Sequence, residues 1–197
     1  MPCITPDGNK LFFNSKLPLP GETELSQNGN MWVTERTESG WAGPQFFGSG
    51  VMGMSASNYG NLFYTDITLD YGESGYCFLG EKEVTDKGYS DQIQVAIPME
   101  KIFSTVHPFI APDESYIIFD SGADPDGFGG TDLFISFKNN YGSWTEPKNM
   151  GKTINSKAFE MSGSVSPDGK YLFFSRFFEG ASDIYWVSTN IIESAQV

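Results

Sequence analysis

Val165-Ser166-Pro167-Asp168-Gly169-Lys170-Tyr171-Leu172-Phe173-Phe174 has a counterpart near the start of the chain, Ile4-Thr5-Pro6-Asp7-Gly8-Asn9-Lys10-Leu11-Phe12-Phe13. A third copy runs Ile110-Ala111-Pro112-Asp113-Glu114-Ser115-Tyr116-Ile117-Ile118-Phe119, and a degenerate fourth runs Ser55-Ala56-Ser57-Asn58-Tyr59-Gly60-Asn61-Leu62-Phe63-Tyr64. Aligned on Phe13, Tyr64, Phe119 and Phe174, the copies are 51, 55 and 55 residues apart. A near-constant period of about 50 residues marks a repeat architecture. Within the copy, Ser166-Pro167-Asp168-Gly169 suits a type I turn: proline presets φ at the second position, Asp fits the third and Gly relieves the exit. The aromatic and branched run that follows is too short for a helix and predicts a buried strand.

Each unit then continues in the same order. A polar loop leads to a predicted third strand, read as Asn30–Thr34, Asp91–Val95, Asp132–Ser136 and Asp183–Val187. A fourth element is read at Gly40-Trp41-Ala42-Gly43-Pro44 and again at Ser143-Trp144-Thr145-Glu146-Pro147, where proline suits an outer edge strand. No stretch longer than a turn carries a capped helical pattern. Four antiparallel strands per unit predict an all-β chain of four-stranded β-propeller blades. About four blades are expected in one domain spanning 1–197, with approximate boundaries 3–48, 52–104, 105–158 and 159–197.

Composition narrows the function. With 39% hydrophobic residues among 197, the chain buries a core without a disulfide or metal staple. Its 12 Lys and Arg against 25 Asp and Glu give a net charge of −13, which argues against nucleic acid and against anionic lipid. The charge serves solubility, with attraction for cationic ligands or divalent ions as the functional alternative. Cys3 and Cys77 lie in different units and His107 is the single histidine, so no zinc spacing exists. The cysteines leave both their pairing and the compartment open. No apolar run reaches the roughly 18 residues needed to span a bilayer, and Met1-Pro2-Cys3 carries no signal-peptide pattern.

The motifs Thr5–Phe13, Ala111–Phe119 and Ser166–Phe174 are followed by Thr131–Phe137 or Ser182–Ser188 and then by Gly142–Gly151. Together they resemble the WD40-like β-propeller repeats also found in the propeller protein of the Tol system. The resemblance covers nearly the whole chain and is weakest in the second unit, where Ser57-Asn58-Tyr59-Gly60 replaces the Pro-Asp-Gly turn. It implies a bacterial, extracytoplasmic (periplasmic or secreted) protein. The sialidase Asp box is absent, since Asp7-Gly8 and Asp168-Gly169 are adjacent with no Thr-Trp following. The last unit offers no fourth element over Ile191–Val197, so the expectation is a fragment of a five- or six-bladed propeller, the alternative being a compact four-bladed one.

Propellers place ligands where inner-strand ends and loops converge. The positions just after the second strand are Ser15, Asp66, Ser121 and Arg176, of which Asp66 and Arg176 bring opposite charges to one rim. His107, a candidate general base, precedes the third inner strand, and Glu160 matches it before the fourth. These four (His107, Glu160, Asp66, Arg176) are the candidate ligand-binding residues, each with an ordinary structural reading beside it. No Gly-x-Ser-x-Gly or acid–His–nucleophile set accompanies them, so no catalytic residue is assigned. Asp124, Asp126 and Asp132 are weak calcium candidates that lack EF-hand order. Asp91, Asp132 and Asp183 are read as loop caps, and Trp41 and Trp144 as architecture. The expected function is a non-catalytic scaffold without cofactor, recognising a protein, peptide or glycan in the bacterial cell envelope. The alternatives are a carbohydrate-active hydrolase or lyase with its site at the channel mouth, and a ligand-gathering domain of a longer protein.

Overall fold

The computed structural model describes residues 2–26, 29–67, 77–98, 104–122 and 126–196. Among them four blades follow one another. The first holds β1 (Cys3–Ile4), β2 (Lys10–Ser15), β3 (Asn30–Thr37), β4 (Gly40–Trp41) and β5 (Gln45–Gly48). The second holds β6 (Val51–Ala56), β7 (Leu62–Asp66), β8 (Phe78–Lys82), the small hairpin β9 (Val84–Thr85) and β10 (Gly88–Tyr89), and β11 (Ile93–Gln94). The third holds β12 (Val106–Ile110), β13 (Tyr116–Gly122), β14 (Thr131–Phe137) and β15 (Lys148–Asn149). The fourth holds β16 (Phe159–Val165), β17 (Tyr171–Phe178) and β18 (Ala181–Ser188), followed by α1 (Asn190–Gln196). Main-sheet neighbours pair antiparallel; a single parallel bridge, Thr131 to Phe159, joins blades three and four.

The repeated turns close as their chemistry dictates. The amides of Gly8, Gly60, Glu114 and Gly169 donate to the carbonyls of Thr5, Ser57, Ala111 and Ser166 at 2.7, 3.0, 2.9 and 2.8 Å. Each of those four residues has positive φ, which glycine adopts freely and Glu114 does not. Glu114 is held there by its side chain, which accepts from Asn61 Nδ2 at 2.9 Å and from Lys138 Nζ at 3.1 Å. The turn Asp acts as an Asx bridge: Asp168 Oδ1 accepts from Ser166 Oγ and from the Lys170 amide, as Asp7 does from Thr5 and Asn9.

Alternation along each second strand sends one side chain forward to the next blade and one back. Phe12 and Tyr64 meet between blades one and two, Phe63 and Phe119 between two and three, and Ile118 and Phe174 between three and four. The core is therefore three slabs, each between neighbouring blades.

Three sequence expectations change. The third strand of the second unit is Phe78–Lys82, not Asp91–Val95; Ile93–Gln94 is its outer strand. Gly80 disguises that strand, yet it lies where a Cβ would fall 2.5 Å from the Tyr64 ring, so the site admits only hydrogen. The Trp-x-x-Pro elements are hairpin returns rather than outer strands. Trp41 pairs with Arg36 and Trp144 bridges to Lys138, and ladder pairing resumes after Pro44 and Pro147, which have no N–H to give. Finally, residues 190–196 form a helix whose Ile192 caps the core between blades three and four. Trp144 is buried in the core, whereas Trp41 stacks on Arg36 at 4.6 Å.

Candidate functional site

The ends of β2, β7, β13 and β17 share one rim with the starts of the inner strands β6, β12 and β16. Each of these inner strands is interrupted there by a bulge with a left-handed residue: Gly53 (φ 54), His107 (φ 50) and Ser162 (φ 58). The bulges are stitched to the preceding blade by the residue that follows its aligned aromatic. Asn14 Nδ2 donates to the Val51 carbonyl at 2.9 Å; the His107 amide donates to Thr65 Oγ1 at 2.9 Å; the Ser162 amide donates to Asp120 Oδ1 at 2.9 Å.

His107 and Asp120 form the central acid–base pair. The Nδ1 atom lies 3.1 and 3.2 Å from the two Asp120 oxygens, and the carboxylate is fully buried while the imidazole side chain is 23% exposed. Burial pushes the Asp120 carboxyl above the usual range, against the downward pull of the His107 hydrogen bond and charge and of the Ser162 amide. With Asp120 ionised, Nδ1 carries the proton and Nε2 is the open ring atom. Glu160 is also fully buried, but its partners are Ser156 in the loop before β16, N at 3.0 Å and Oγ at 2.6 Å, and Arg176 Nε of its own blade at 2.7 Å. Arg176 further donates through Nη2 to the Ile154 carbonyl at 2.8 Å and lies 4.4 Å over the Tyr185 ring. The structure thus groups His107 with Asp120 and Glu160 with Arg176. Asp66 is buried at the end of β7, near Tyr64, whose hydroxyl is pushed upward by burial and then by the charges of Asp66 and Glu81. Ser121 is buried and bonds the Gly122 carbonyl, and Ser15 accepts from the Leu17 amide.

Asp124 lies outside the described residues. Asp132 caps its own loop, its Oδ2 accepting from the Phe128 amide and Asn149 Nδ2 at 2.7 Å each. Asp91 and Asp183 are exposed, and Asp91 follows the third strand of its blade instead of preceding it. No cluster of three or more potential metal ligands occurs among the described residues. Cys3 and Cys77 are free thiols.

A cleft of about 860 Å³ opens on the same rim between blades one and two. Asn14, Ser26, Asn30 and Ser49 supply its polar wall, and Leu19, Met52 and Ile67 its apolar floor. Asn30 is fixed from both sides, donating to Ser26 Oγ at 2.9 Å and accepting from Ser49 Oγ at 2.8 Å. Its described lining contains amide, hydroxyl, glycine and aliphatic groups and no ionisable side chain.

Sequence reasoning missed Asp120 and the cleft. The signal for Asp120 was available: Asn14, Thr65, Asp120 and Ser175 all follow the aligned aromatic and all are polar on an otherwise apolar strand. The cleft had no such signal, because its walls come from four separate segments.

No family model matches the chain, and no curated protein is significantly similar to it. Solved structures are similar in fold. TolB from Acinetobacter baumannii is 19% identical with a TM-score of 0.62, covering 96% of this chain and 40% of that one. A putative TolB from Agrobacterium tumefaciens is 12% identical with a TM-score of 0.64, covering 95% of this chain and 60% of that one. A puromycin hydrolase is 15% identical with a TM-score of 0.54, covering 96% of this chain and 27% of that one. The fold is that of the TolB-type, WD40-like β-propellers, and the chain spans 40% and 60% of the two TolB chains.

Proposed function

We propose that this chain is a non-catalytic binding scaffold of the bacterial cell envelope, and that the cleft between blades one and two receives an extended peptide segment of a partner protein. The observation that carries the reading is the cleft's neutral, pre-arranged wall. Asn30, itself buried, is locked by Ser26 and Ser49, and Asn14 is tied to Val51, so the polar wall is held in place without ordering cost beside Met52 and Ile67. That mixture suits backbone amides with small apolar side chains, and the volume is in the usual range for a ligand site. The charged candidates support the same reading. Glu160 and Arg176 are engaged with each other, which leaves them as architecture of the rim. The overall negative charge favours a partner with basic flanks around the bound segment.

The test places a photo-reactive amino acid at Met52 in the cleft and, separately, at Tyr141, an exposed residue of the loop after β14. Irradiation in bacterial envelope extract is expected to give a discrete protein adduct from position 52 alone. Identical adducts from both positions, or none, would sink the proposal. One observation favours a second reading: the His107–Asp120 pair orients an imidazole with an open Nε2, as a hydrolase base requires. Turnover of arabinan or aryl glycosides by the wild type, lost in His107→Gln, would favour it; an inert wild type disposes of it.

A further inference from the structure

We propose that the joint between blades two and three is a proton switch. Glu81 of one blade and Glu114 of the other compete for Lys138, and the joint is tightest when Glu81 carries a proton. Residues opposite one another on an antiparallel ladder lie on one face of the sheet. The forward-pointing residues of the second strands therefore share the inter-blade core with their partners on the third strands. Phe12 faces Val33 and Ile118 faces Ile135, apolar on apolar. Phe63, fully buried between blades two and three, faces Glu81 instead. A partly buried carboxylate thus stands where the neighbouring blades place an aliphatic side chain.

The other two members are already engaged. Lys138 Nζ lies 3.1 Å from Glu114 Oε2 and 5.2 Å from the centre of the Trp144 ring, which belongs to the same core as Phe63. Glu114 Oε1 accepts from Asn61 Nδ2 of blade two at 2.9 Å, and Asn61 Oδ1 accepts from the Val84 amide at 2.9 Å. The Glu114 carboxylate therefore ties the turn of blade three to the β9–β10 hairpin of blade two. In the same pair of turns the Asn58 amide donates to the Pro112 carbonyl across the joint at 2.8 Å.

The surrounding groups decide which carboxylate holds the ammonium. Burial pushes the Glu81 carboxyl above the usual range; Lys138 pulls it down, and Glu114 and then Glu83 push it up. Burial acts on Glu114 too, but hydrogen bonds from Lys138 and Asn61 help to hold it below the usual range. From β7 the titratable neighbour is Tyr64, its hydroxyl raised by burial, Asp66 and Glu81, while β11 sets the uncharged Ile93 opposite Glu81. Lys82, next on β8, is turned to the Ser90 carbonyl at 3.0 Å. A carboxyl with a raised folded-state value contributes stability below its unfolded value, about 4.3 for Glu, and loses it as pH rises through the folded one. Acid therefore clamps this joint. Neutral pH sets Glu81 against Glu114 over one lysine and loosens it.

Glu81→Gln, close in shape to the protonated acid, tests this in the whole chain. Its melting temperature is expected to match wild type at about pH 4.5 and to exceed it by about 2–4 °C at about pH 7.5. Protection of the Asn58 and Val84 amides against hydrogen exchange should follow the same course. It should be equal in the two proteins in acid and about threefold or more higher in the variant at neutral pH. In a Glu114→Gln background Lys138 is left to Glu81, so the neutral-pH gain from Glu81→Gln is expected to shrink to roughly half or less. A variant that melts with wild type at both pH values, or below it at neutral pH, overturns the proposal. Equal amide protection at neutral pH overturns it as well, because the joint would then not respond. A gain that persists in full in the Glu114→Gln background does so too, since burial alone, with no contest for Lys138, would account for it.

Discussion

Arg176→Met is the substitution that most directly separates a structural rim charge from a ligand-binding one. In the native chain the guanidinium meets Glu160 at 2.7 Å, Ile154 O at 2.8 Å and the Tyr185 ring at 4.4 Å. Breaking a fully buried ion pair costs about 3–5 kcal/mol because the surviving charge is stranded. Here the arginine side chain is 24% exposed and water screens part of that, which brings the figure to about 2–3 kcal/mol. The lost cation–π contact adds about 0.5–1 kcal/mol. For a chain of this size 1 kcal/mol moves the melting temperature by about 2–4 °C, so a fall of roughly 5–16 °C is expected. Glu160→Gln keeps the Ser156 contacts in shape and leaves a partly hydrated arginine, so it should lose about 1–2 kcal/mol. The double variant has no stranded charge and should be more stable than the sum of the singles implies, by about 1–2 kcal/mol. Urea denaturation of all four proteins at pH 7 gives that coupling. A coupling near zero, with Arg176→Met melting like wild type, would refute the structural assignment and return Arg176 to the list of ligand contacts.

Three further outcomes follow from the same geometry. The turn carboxylates Asp7, Asp113 and Asp168 are held below the usual range, first of all by side-chain hydroxyls of Thr5, Ser115 and Ser166, with Asp168 at about 2. A lowered folded-state value stabilises above the unfolded value and is lost as pH falls through the folded one, so the melting temperature should drop from about pH 4 towards pH 2, and less steeply in Asp168→Asn. Gly80→Ala drives a methyl group into the buried Tyr64 ring and should cost about 1–3 kcal/mol by urea denaturation, whereas Gly142→Ala meets no atom within 4 Å and reports only its positive φ. Burial pushes the Cys3 thiol up to about 11, and burial also raises Cys77, so Ellman's reagent at pH 8 should react slowly with the native chain and give two thiols per chain in denaturant.

The turns and second strands were legible because their information is local. Proline, Asp and Gly fix a turn within four residues, and Leu172-Phe173-Phe174 states its own strand. The second unit misled because Gly80 reads as a strand breaker until the Tyr64 ring is seen to occupy the space of its missing side chain. The Trp-x-x-Pro segments misled because proline marks where pairing stops, and the outer strand begins only beyond it. The pairing of rim charges was illegible for a different reason. Thr65 bonds His107 and Asp120 bonds Ser162 across 42 residues in both cases, a separation set by the blade repeat and by no local pattern. His107 was noticed as the single histidine; its partner lay in the neighbouring strand of the same blade.

The bulges explain why polar residues collect at this rim at all. Holding a non-glycine residue at positive φ costs about 1–3 kcal/mol, and His107 and Ser162 are both held so. At these two positions the strained residue's amide is taken by a side chain of the preceding blade, Thr65 or Asp120. A hydrogen bond to a charged acceptor is worth about 1.5–3 kcal/mol, enough to offset the strain at Ser162. Between blades one and two the arrangement differs: Asn14 bonds the Val51 carbonyl instead of the bulge amide, and the bulge residue is Gly53, which carries no strain to offset. At His107 and Ser162 the strain therefore comes with a side-chain acceptor for the bulge amide, whereas at Gly53 the inter-blade hydrogen bond goes to a carbonyl and no strain accompanies it. Asp120 completes the device, since one carboxylate holds the His107 ring within its blade and the Ser162 amide of the next. An acid–base pair with that double duty is first a joint between blades.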